Sequence, residues 1–587
     1  MEINRRTFLK GAVAAGTLGA AGALAACTTG GGEGGGTEST GSTGGGTSAP
    51  KGDLFTVEDL KRKWAFEIAP DPIGDDQIDE TIEADVVVVG CGTSGLMTAI
   101  SALEHGAGKV VIVSASVEPV SRGGSNNTIF SKYMAEQGMK RIPPYYYKKE
   151  IYAQFNNVNQ ALWFKYYNNS EEVMNYLIDL MTGRGYYVGM ELNANIPTDD
   201  LYHQPLSSHA FLDGKEFTNP GQAQPLLVRN VADEFQKKGG EIYFQNKGRQ
   251  LIRGGSPNGT SGRVEGVICE RLADGGFTKY TAKKAVVLAC GDFSKNREMC
   301  YKYVPMFAPT LEEGGAFDTP VNYDIGIDFS AGPGLMGGEG HQMGIWVGAA
   351  WQKNNPNTLM GSTLNTGPSG TYTQAYPGLV VDRNGKRFMD EFASQRLAGM
   401  SAWHTDGSQI FKIWDAGYAS YPNMWRESWD IKSAVVPAEQ VLAGWDSSVE
   451  NGMYAKGDTI EELAQKLGLP VEATKATFDK YNQMCQAGED TEFYKRKEGL
   501  NALVTPPFYG HMSNTRDFLT VVGGLRTNSN LQVCVEDDTP IDGLYNVGTM
   551  TGDFFGGVYT FQIQGANYGA ACVTFGWETG KYIAANE

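Results

Sequence analysis

Residues 84–115 carry the clearest pattern of apolar and polar positions in the chain. The run ADVVVV leads into the glycine turn GCGTSG, a stretch with helical spacing follows, and a second apolar run, KVVIVSA, closes the segment. Short continuous runs of β-branched residues bounded by glycine are typical of strands that are buried on both faces. Parallel strands require a crossover connection, which is usually a helix. The segment therefore predicts strand, turn, helix and strand in a parallel sheet.

The same alternation returns later in the chain. A helical pattern and an apolar strand follow from residue 226, and another buried strand ends at Gly291-Asp292. From about 353 to 515 the rhythm of strand and helix is lost, while Trp, Tyr and Asn become frequent; strand, glycine turn and long helix return from 542. A segment of different character inside an alternating pattern indicates a domain inserted into another domain.

We therefore predict an α/β fold in which a Rossmann-like domain is discontinuous and carries an inserted α+β capping domain. The predicted boundaries are 82–352 and 516–587 for the two parts of the Rossmann-like domain, 353–515 for the cap and 53–81 for an N-terminal lead-in.

The turn GCGTSG has the spacing of a dinucleotide-binding loop. Gly90 would allow the tight turn, Gly92 would let a diphosphate approach the backbone, and Gly95 would let the helix pack closely on the strand. The diphosphate would lie at the helix N-terminus, beside Thr93 and Ser94, where free N–H groups and the helix dipole favour an anion. Ser114 stands where an acidic residue usually binds the ribose hydroxyls, and a serine can still form a hydrogen bond to them.

The composition of the chain argues against some classes of partner and site. The chain has 49 basic and 67 acidic residues among 587, a net charge of −18, which argues against a nucleic-acid partner. Its eight cysteines form no CxxC pair and no zinc or haem spacing, so we expect neither a disulfide framework nor a metal site.

The first 52 residues read as targeting rather than fold. Arg5 and Arg6 precede a short Ala/Gly run, which resembles a twin-arginine export signal, and LAAC at 24–27 resembles a lipoprotein cleavage box with Cys27 as the lipidated residue. Residues 28–52 are Gly/Ser/Thr-rich and predict a flexible tether. We expect export by the twin-arginine route and a lipid anchor on the outer side of a bacterial cytoplasmic membrane.

Four blocks together carry a resemblance to a known family. They are the glycine turn at 90–95, AVVLACGDFSKNREM at 285–299, DRNGKRFMDE at 382–391, and GLYNVGTMTGD with the glycines after it from 543. In this order they resemble the superfamily of FAD-dependent soluble fumarate reductases, urocanate reductases and 3-ketosteroid dehydrogenases, over roughly residues 82–582. The resemblance implies FAD, expected to be non-covalent, and a substrate held between the FAD domain and the cap.

The resemblance and the glycine turns together assign the cofactor site. Asp553 falls where the fumarate reductases have a glutamate on the FAD ribose, and Gly565, Ala566 and Asn567 fall on their Gly-Gly-Asn turn beside the flavin. The predicted cofactor-binding residues are Gly90, Gly92, Thr93, Ser94, Gly95, Ser114, Gly123, Gly124, Ser125, Gly291, Asp292, Gly548, Asp553, Gly565 and Asn567.

Two substitutions change the implied substrate. Ile563 stands where the fumarate reductases carry an arginine that binds a substrate carboxylate, and Thr520 replaces a carboxylate-binding histidine. A bidentate arginine–carboxylate contact contributes about 1.5–3 kcal/mol, which isoleucine cannot supply. The resemblance therefore implies a larger and less ionic substrate than fumarate.

The proton donor is left open among four residues. The family's catalytic arginine comes four residues after the glutamate that matches Glu391; here that position is Gln395, and Arg396 follows it. Arg396 is the acid if the helix start shifts by one residue, and otherwise it is a solvated charge. The alternatives are phenols at Tyr372, Tyr376 and Tyr559, because related steroid dehydrogenases use tyrosines for proton transfer.

These observations favour an exported FAD-dependent reductase that saturates an activated C=C bond in anaerobic respiration. Its electrons would come from a separate cytochrome or membrane quinol oxidase. A 3-ketosteroid-type dehydrogenase is the main alternative, followed by a carboxylate-alkene reductase and by a lipoprotein that keeps FAD and binds a ligand without turnover.

Overall fold

The computed structural model describes residues 63–587, which form one compact unit, except for 122, 191–206, 215–222, 314, 316, 319–320, 322, 324–335, 355–356, 362–377, 393–400, 402–403, 422–424, 426–433, 515–517, 558, 560–562 and 564. The predicted export signal, tether and lipidated Cys27 therefore lie outside the described residues. So does the beginning of the lead-in.

Strands and helices are numbered here in chain order. The strands are β1 Ile78–Val89, β2 Val110–Val113, β3 Asn126–Asn127, β4 Tyr187–Met190, β5 Ser208–Leu212, β6 Glu241–Tyr243, β7 Asn246–Arg253, β8 Ser256–Pro257, β9 Val264–Arg271, β10 Phe277–Leu288, β11 Thr358–Gly361, β12 Leu379–Asp382, β13 Gln409–Asp415, β14 Ala455–Gly457, β15 Phe508–Asn514, β16 Phe518–Val522, β17 Gln532–Cys534 and β18 Pro540–Asn546.

The α-helices are α1 Thr93–Glu104, α2 Lys132–Glu136, α3 Pro144–Ala153, α4 Gln160–Gly183, α5 Ala223–Lys237, α6 Arg297–Tyr303, α7 Ala308–Glu313, α8 Glu339–Trp346, α9 Ala438–Glu450, α10 Ile460–Leu467, α11 Val471–Ala487 and α12 Phe575–Asn586. A π-helical segment, Asn567–Thr574, leads directly into α12.

The main sheet has nine strands and a parallel centre. Its parallel part runs β6–β2–β1–β10–β18, so the strand β18, from the end of the chain, pairs with β10. The first half of β10 also pairs antiparallel with β9. Strand β9 pairs antiparallel with β7, and β7 pairs antiparallel with β8. The α/β fold and the two-part Rossmann-like arrangement expected from the sequence are confirmed.

The central strands form because their side chains are buried on both faces. The four consecutive valines 86–89 are at most 4% exposed, and all of β2 is buried. Alternate residues of β1 enter two different cores, one under α1 and one under α8. This two-sided burial explains why the strand reads as a continuous apolar run and not as an alternating one.

Helix α1 packs against α12 through small residues. A Cβ at Gly576 would lie 2.7 Å from the Ser94 carbonyl oxygen, and a Cβ at Gly580 would overlap the Thr98 carbonyl oxygen. The Ser101 hydroxyl donates a hydrogen bond of 2.6 Å to the Trp577 carbonyl oxygen. The last helix of the chain therefore supports the helix that follows the glycine turn.

A second sheet lies within the segment predicted to be the cap. Its antiparallel order is β12–β13–β15–β14, and apolar clusters cover it. Helix α9 contributes to one of these clusters, and helices α10 and α11 contribute to the other. Both α and β elements therefore occur in this segment, while its predicted boundaries stay a prediction.

A buried network of ion pairs includes two residues of the DRNGKRFMDE stretch. Arg387 forms paired contacts of 2.8 Å with Glu391, and it also contacts Asp490 at 2.8 and 3.0 Å. Lys495 lies 3.4 Å from Glu391, and these four side chains are at most 1% exposed. The network attaches the end of this stretch to the segment that follows α11.

Three further observations concern the described residues alone. Their seven cysteines are all free thiols, and no group of three or more His, Cys, Asp or Glu could hold a metal ion. Among these same residues, no helix has the length and apolar character needed to cross a membrane.

Candidate functional site

A cavity of about 200 Å³ lies at the carboxyl ends of β1, β2 and β10. Ligands of open parallel sheets bind at this edge. The described residues that line it are Val89, Gly90, Cys91, Gly92, Thr93, Ser94, Val113, Ser114, Ala115, Ser116, Val120, Ser121, Asn246, Lys247, Gly248, Ala289, Cys290, Gly291, Asp292, Tyr323, Met336, Glu339, Met343, Thr520, Thr549, Tyr568 and Cys572.

The glycine turn is built so that only glycine fits. Gly90 has a φ of +114°, and a Cβ there would overlap the Ala289 carbonyl oxygen at the end of β10. A Cβ at Gly95 would overlap the Gly90 carbonyl oxygen, so helix α1 rests directly on the turn. Gly92 contributes a different property, because it lines the cavity and presents bare backbone to it.

Helix α1 begins at the cavity wall. Its N-cap is Gly92, which has no side chain to cap the helix, and Thr93 and Ser94 form the first turn. The Thr93 hydroxyl is hydrogen bonded to the Ser121 hydroxyl at 2.8 Å and to the Gln224 side chain at 3.3 Å. A helix N-terminus without a side-chain cap offers N–H groups to an anion, and its dipole favours negative charge.

The end of β2 presents hydroxyl groups to the cavity. Ser114 follows β2, is 7% exposed, and forms a hydrogen bond of 2.8 Å to the Ser116 hydroxyl. Ser116 in turn donates to the Glu118 carbonyl oxygen at 2.7 Å. Two neighbouring hydroxyls can exchange hydrogen bonds with a diol, so this pair is suited to the ribose role predicted for Ser114 alone.

A charged cluster that sequence reasoning missed lines another part of the wall. Glu339, at the start of α8, accepts a hydrogen bond from the Tyr323 hydroxyl and lies 3.1 Å from the Lys247 ammonium. Burial would raise the pKa of Glu339, but Lys247 and Tyr323 outweigh burial and hold that pKa below its ordinary value. The three residues come from separate segments, and no local motif brings them together.

Asp292 and Thr520 form a second polar group in the wall. Both side chains are buried, and the Thr520 hydroxyl donates to Asp292 Oδ2. Close by, His341 is fully buried, and burial lowers the pKa of its imidazole to about 4. This histidine is therefore neutral at pH 7. The sequence places Asp292 and Thr520 more than 200 residues apart, yet the fold brings them into direct contact.

Several predicted cofactor residues lie behind the wall rather than on it. A Cβ at Gly548 would lie 2.5 Å from the Ser94 hydroxyl, and a Cβ at Gly123 would touch the Tyr568 ring at 3.0 Å. These two glycines therefore pack against wall residues. The other predicted residues that do not line the cavity are Gly95, Gly124, Ser125, Asp553, Gly565 and Asn567.

Asp553 is the clearest of these cases. Its carboxylate accepts hydrogen bonds from the Lys353 and Asn354 backbone N–H groups at 2.9 to 3.1 Å, and it lines a separate polar pocket. The structure thus does not bring Asp553 to the cavity at the sheet edge, and its contact with a ribose stays a prediction.

Tyr559 and Ile563 also lie apart from the described wall. Both are buried in the core beneath α1, at 3% and 4% exposure. The Tyr559 hydroxyl accepts a hydrogen bond from the Asn567 N–H at 3.3 Å. Their catalytic and substrate roles stay predictions, and the other predicted proton donors, Arg396, Tyr372 and Tyr376, lie outside the described residues.

The family assignment agrees with this geometry. A family model described as "FAD binding domain" matches residues 85–562. The chain belongs to this family. Its cofactor is FAD, and it is an FAD-dependent oxidoreductase.

Relatives of this family resemble the chain along most of its length. The vinyl phenol reductase of Lactiplantibacillus plantarum is 25% identical over 519 residues, which are 85% of this chain and 94% of the relative. The digoxin reductase of Eggerthella lenta is 24% identical over 563 residues, covering 87% and 88%.

A solved structure shows the same fold. The 3-ketosteroid-Δ4-(5α)-dehydrogenase from Rhodococcus jostii RHA1 matches with a TM-score of 0.63 at 20% identity, over 87% of this chain and 99% of that one.

The cavity wall fits the cofactor of the family. The bare backbone of Gly90 and Gly92 and the α1 N-terminus would hold the diphosphate, and Ser114 with Ser116 would hold the ribose. These residues supply binding and orientation, while the redox chemistry belongs to the cofactor.

Proposed function

We propose that this flavoenzyme is an exported reductase of activated C=C bonds in neutral or weakly charged organic acceptors such as enones, lactones or phenylpropenoids. The observation that carries the proposal is the charge of the cavity wall. Lys247 is the one Lys or Arg among the described wall residues, and it is paired with Glu339. Among the described residues, the wall therefore offers no unpaired Lys or Arg to a substrate carboxylate.

The resemblance supports the same conclusion at two other positions. Thr520 and Ile563 stand where the fumarate reductases bind a carboxylate, and neither side chain carries a charge. Two relatives named as reductases, of vinyl phenol and of digoxin, match over most of their length, which supports reduction as the direction of the reaction.

The chain's own residues would prepare the reaction in three ways. The turn at Gly90–Gly92 and helix α1 would orient the cofactor, and the apolar residues of the wall would cover part of it. When bound and reduced, FAD supplies a hydride to an electron-poor alkene carbon. Arg396, Tyr372, Tyr376 and Tyr559 are the candidates for protonating the adjacent carbon.

Anaerobic reoxidation of the dithionite-reduced, FAD-loaded protein tests this function. One panel of acceptors contains carboxylate alkenes such as fumarate and urocanate, and the other contains neutral enones, lactones and phenylpropenoids. We expect the flavin to be reoxidised rapidly by members of the neutral panel alone. Rapid turnover with fumarate would contradict the proposal and would require a carboxylate-binding cation elsewhere.

A 3-ketosteroid-type dehydrogenase is the second candidate, and Tyr559 favours it. A buried tyrosine with its hydroxyl next to the Asn567 N–H stands where the fumarate reductases have a histidine. Oxidised protein incubated with saturated 3-ketosteroids and an artificial electron acceptor would test this function. Turnover that disappears in Tyr559→Phe, together with no alkene-driven reoxidation, would favour the dehydrogenase.

Export, the lipid anchor and a separate cytochrome or membrane quinol oxidase as electron donor complete the proposal. Export and the anchor rest on the Arg5-Arg6 pair, the LAAC box and the tether, and the separate donor rests on the absence of a haem-binding motif from the sequence. Cys27→Ala should release the protein from the membrane fraction, and replacing both arginines by lysine should hold it in the cytoplasm. Unchanged fractionation of both variants would refute this part.

A further inference from the structure

Asp292 places a buried carboxylate in the wall of the FAD cavity. It follows Gly291 just beyond the end of β10. The side chain is 4% exposed. Its Oδ1 accepts hydrogen bonds from the Ser294 N–H at 3.1 Å and the Ser294 hydroxyl at 2.8 Å, and its Oδ2 accepts one from the Thr520 hydroxyl.

No described cation compensates this carboxylate. Lys247, the described wall residue with a positive charge, is 3.1 Å from Glu339 and is paired there. His341 lies near Asp292, but burial lowers its pKa to about 4, so the imidazole is neutral at pH 7. Among the described residues none forms an ion pair with Asp292. The described part of the wall therefore has a net negative charge at this point.

The order of the strands shows which end of the cavity carries this charge. Ser114 follows β2, Gly90 follows β1, and Gly291-Asp292 follow β10, in the spatial order β2–β1–β10. The ribose would lie at β2 and the diphosphate at β1. Because neighbouring strands are about 4.8 Å apart, the ends of β2 and β10 lie about 10 Å apart. Asp292 is therefore on the side of the cavity away from Ser114, where the flavin ring would lie if the ribose is bound at β2.

The contacts of Asp292 with the described residues leave one acceptor position of the carboxylate open. Each carboxylate oxygen has about two lone-pair directions, and Oδ2 receives one hydrogen bond from Thr520. A hydroxyl group of a ligand could occupy the other direction, whereas a second carboxylate would face an uncompensated negative charge.

We propose that Asp292 determines substrate charge: it rejects alkenes that carry a carboxylate and favours uncharged alkenes that carry a hydroxyl donor, such as phenols. This inference rests on the proposed C=C reductase function and narrows its substrate class. Repulsion between two unit charges about 6 Å apart, at an effective dielectric constant of about 20, would weaken the binding of a charged alkene roughly 100-fold relative to an uncharged one. Screening by salt reduces this factor to about 10- to 100-fold.

Three compounds isolate the two parts of the inference. 4-Hydroxycinnamate carries the charge, its methyl ester keeps the alkene and the phenol but lacks the charge, and methyl 4-methoxycinnamate lacks the donor as well. Affinity is measured with the oxidised holoenzyme through the change in flavin absorbance, which needs no turnover. Anaerobic reoxidation of the reduced holoenzyme is measured in parallel.

The variants separate charge from hydrogen bonding. In the wild type we expect the ester to bind about 10- to 100-fold more tightly than the acid, and the methoxy ester to bind about tenfold more weakly than the ester. Asp292→Asn should reduce the acid-to-ester discrimination at least tenfold. Thr520→Val keeps the charge and should keep the discrimination. Asp415→Asn changes a buried carboxylate that does not line the cavity, so it is the matched control and should behave as wild type.

The outcomes divide clearly. Equal affinity for acid and ester in the wild type, no binding of either, or unchanged discrimination in Asp292→Asn would overturn the inference. Asp292→Asn that changes only FAD affinity would also overturn it, because the carboxylate would then serve the cofactor. Charge-selective binding without any reoxidation would support the inference while refuting the proposed reductase function.

Discussion

Replacing Arg387 by methionine should destabilise the four-stranded sheet region strongly. The substitution keeps an unbranched side chain of similar length but removes the contacts of 2.8 to 3.0 Å with Glu391 and Asp490. Glu391 and Asp490 have fully buried side chains, and Lys495, 3.4 Å from Glu391, would be the one cation left in the buried network. Two buried carboxylates would then share a single buried ammonium.

The expected cost follows from the burial of the partners. Removing one member of a buried ion pair typically costs about 3–5 kcal/mol, because an uncompensated buried charge remains. Each 1.4 kcal/mol is a factor of ten. Amide hydrogen exchange in β12 and α11, which precede the two segments joined by this network, should therefore accelerate by about two to more than three orders of magnitude.

Native-state hydrogen exchange with mass spectrometry measures this effect segment by segment. Arg383→Met is the matched control in the same stretch, because Arg383 is half exposed and lies 3.5 Å from an exposed Asp406. A surface pair of this kind contributes about 0–1 kcal/mol. If Arg387→Met accelerated exchange no more than Arg383→Met, the network would not stabilise this region and the reasoning would be wrong.

Three further predictions concern the glycine turn, a buried histidine and the thiols. Gly95→Ala should abolish FAD retention, measured as bound flavin per protein, because its Cβ would overlap the Gly90 carbonyl oxygen. Gly183→Ala is the control: a Cβ at Gly183 would have open space around it, so this variant should bind as much flavin as the wild type. Burial lowers the pKa of His209 to about 4, so the unfolded chain binds the proton first and stability is lost as pH falls from about 6.5 towards 4. Between pH 7 and pH 5, the free energy of unfolding of His209→Gln, measured in urea, should therefore fall by about 2 kcal/mol less than that of the wild type. An equal fall would refute the conclusion that His209 is buried as a neutral imidazole. At most two of the seven described thiols should react rapidly with a thiol reagent in the native protein, because the other five are buried; rapid labelling of more would contradict the packing.

The parts of the fold that the sequence predicts well are those determined by near neighbours. The strand at 84–89, the turn at 90–95 and helix α1 depend on each other within a few residues, so glycine spacing and apolar runs reveal them. The return of β18 beside β10 follows from the strand, glycine turn and helix that the sequence predicts from 542, because parallel strands collect in one sheet.

The remainder of the site depends on contacts between distant segments. Lys247, Tyr323 and Glu339 meet in the wall, although no spacing relates them, and the Thr520 contact with Asp292 depends on how β16 lies against the end of β10. Arg387 and Glu391 belong to a motif that is visible in the sequence, but their partners Asp490 and Lys495 are about a hundred residues away. The resemblance predicts that Asp553 contacts a ribose; in the structure its carboxylate accepts hydrogen bonds from the backbone at 353–354, and the ribose contact stays a prediction.

The packing of α12 on α1 has a consequence for how the protein is made. Gly576 and Gly580 complete the support of the nucleotide-binding helix, and both are synthesised about 480 residues after the glycine turn. During synthesis the glycine turn is present long before the helix that holds it in place. Cofactor loading is therefore expected only after α12 has been made, so chains that stop before α12 would carry the complete binding motif and yet retain no flavin.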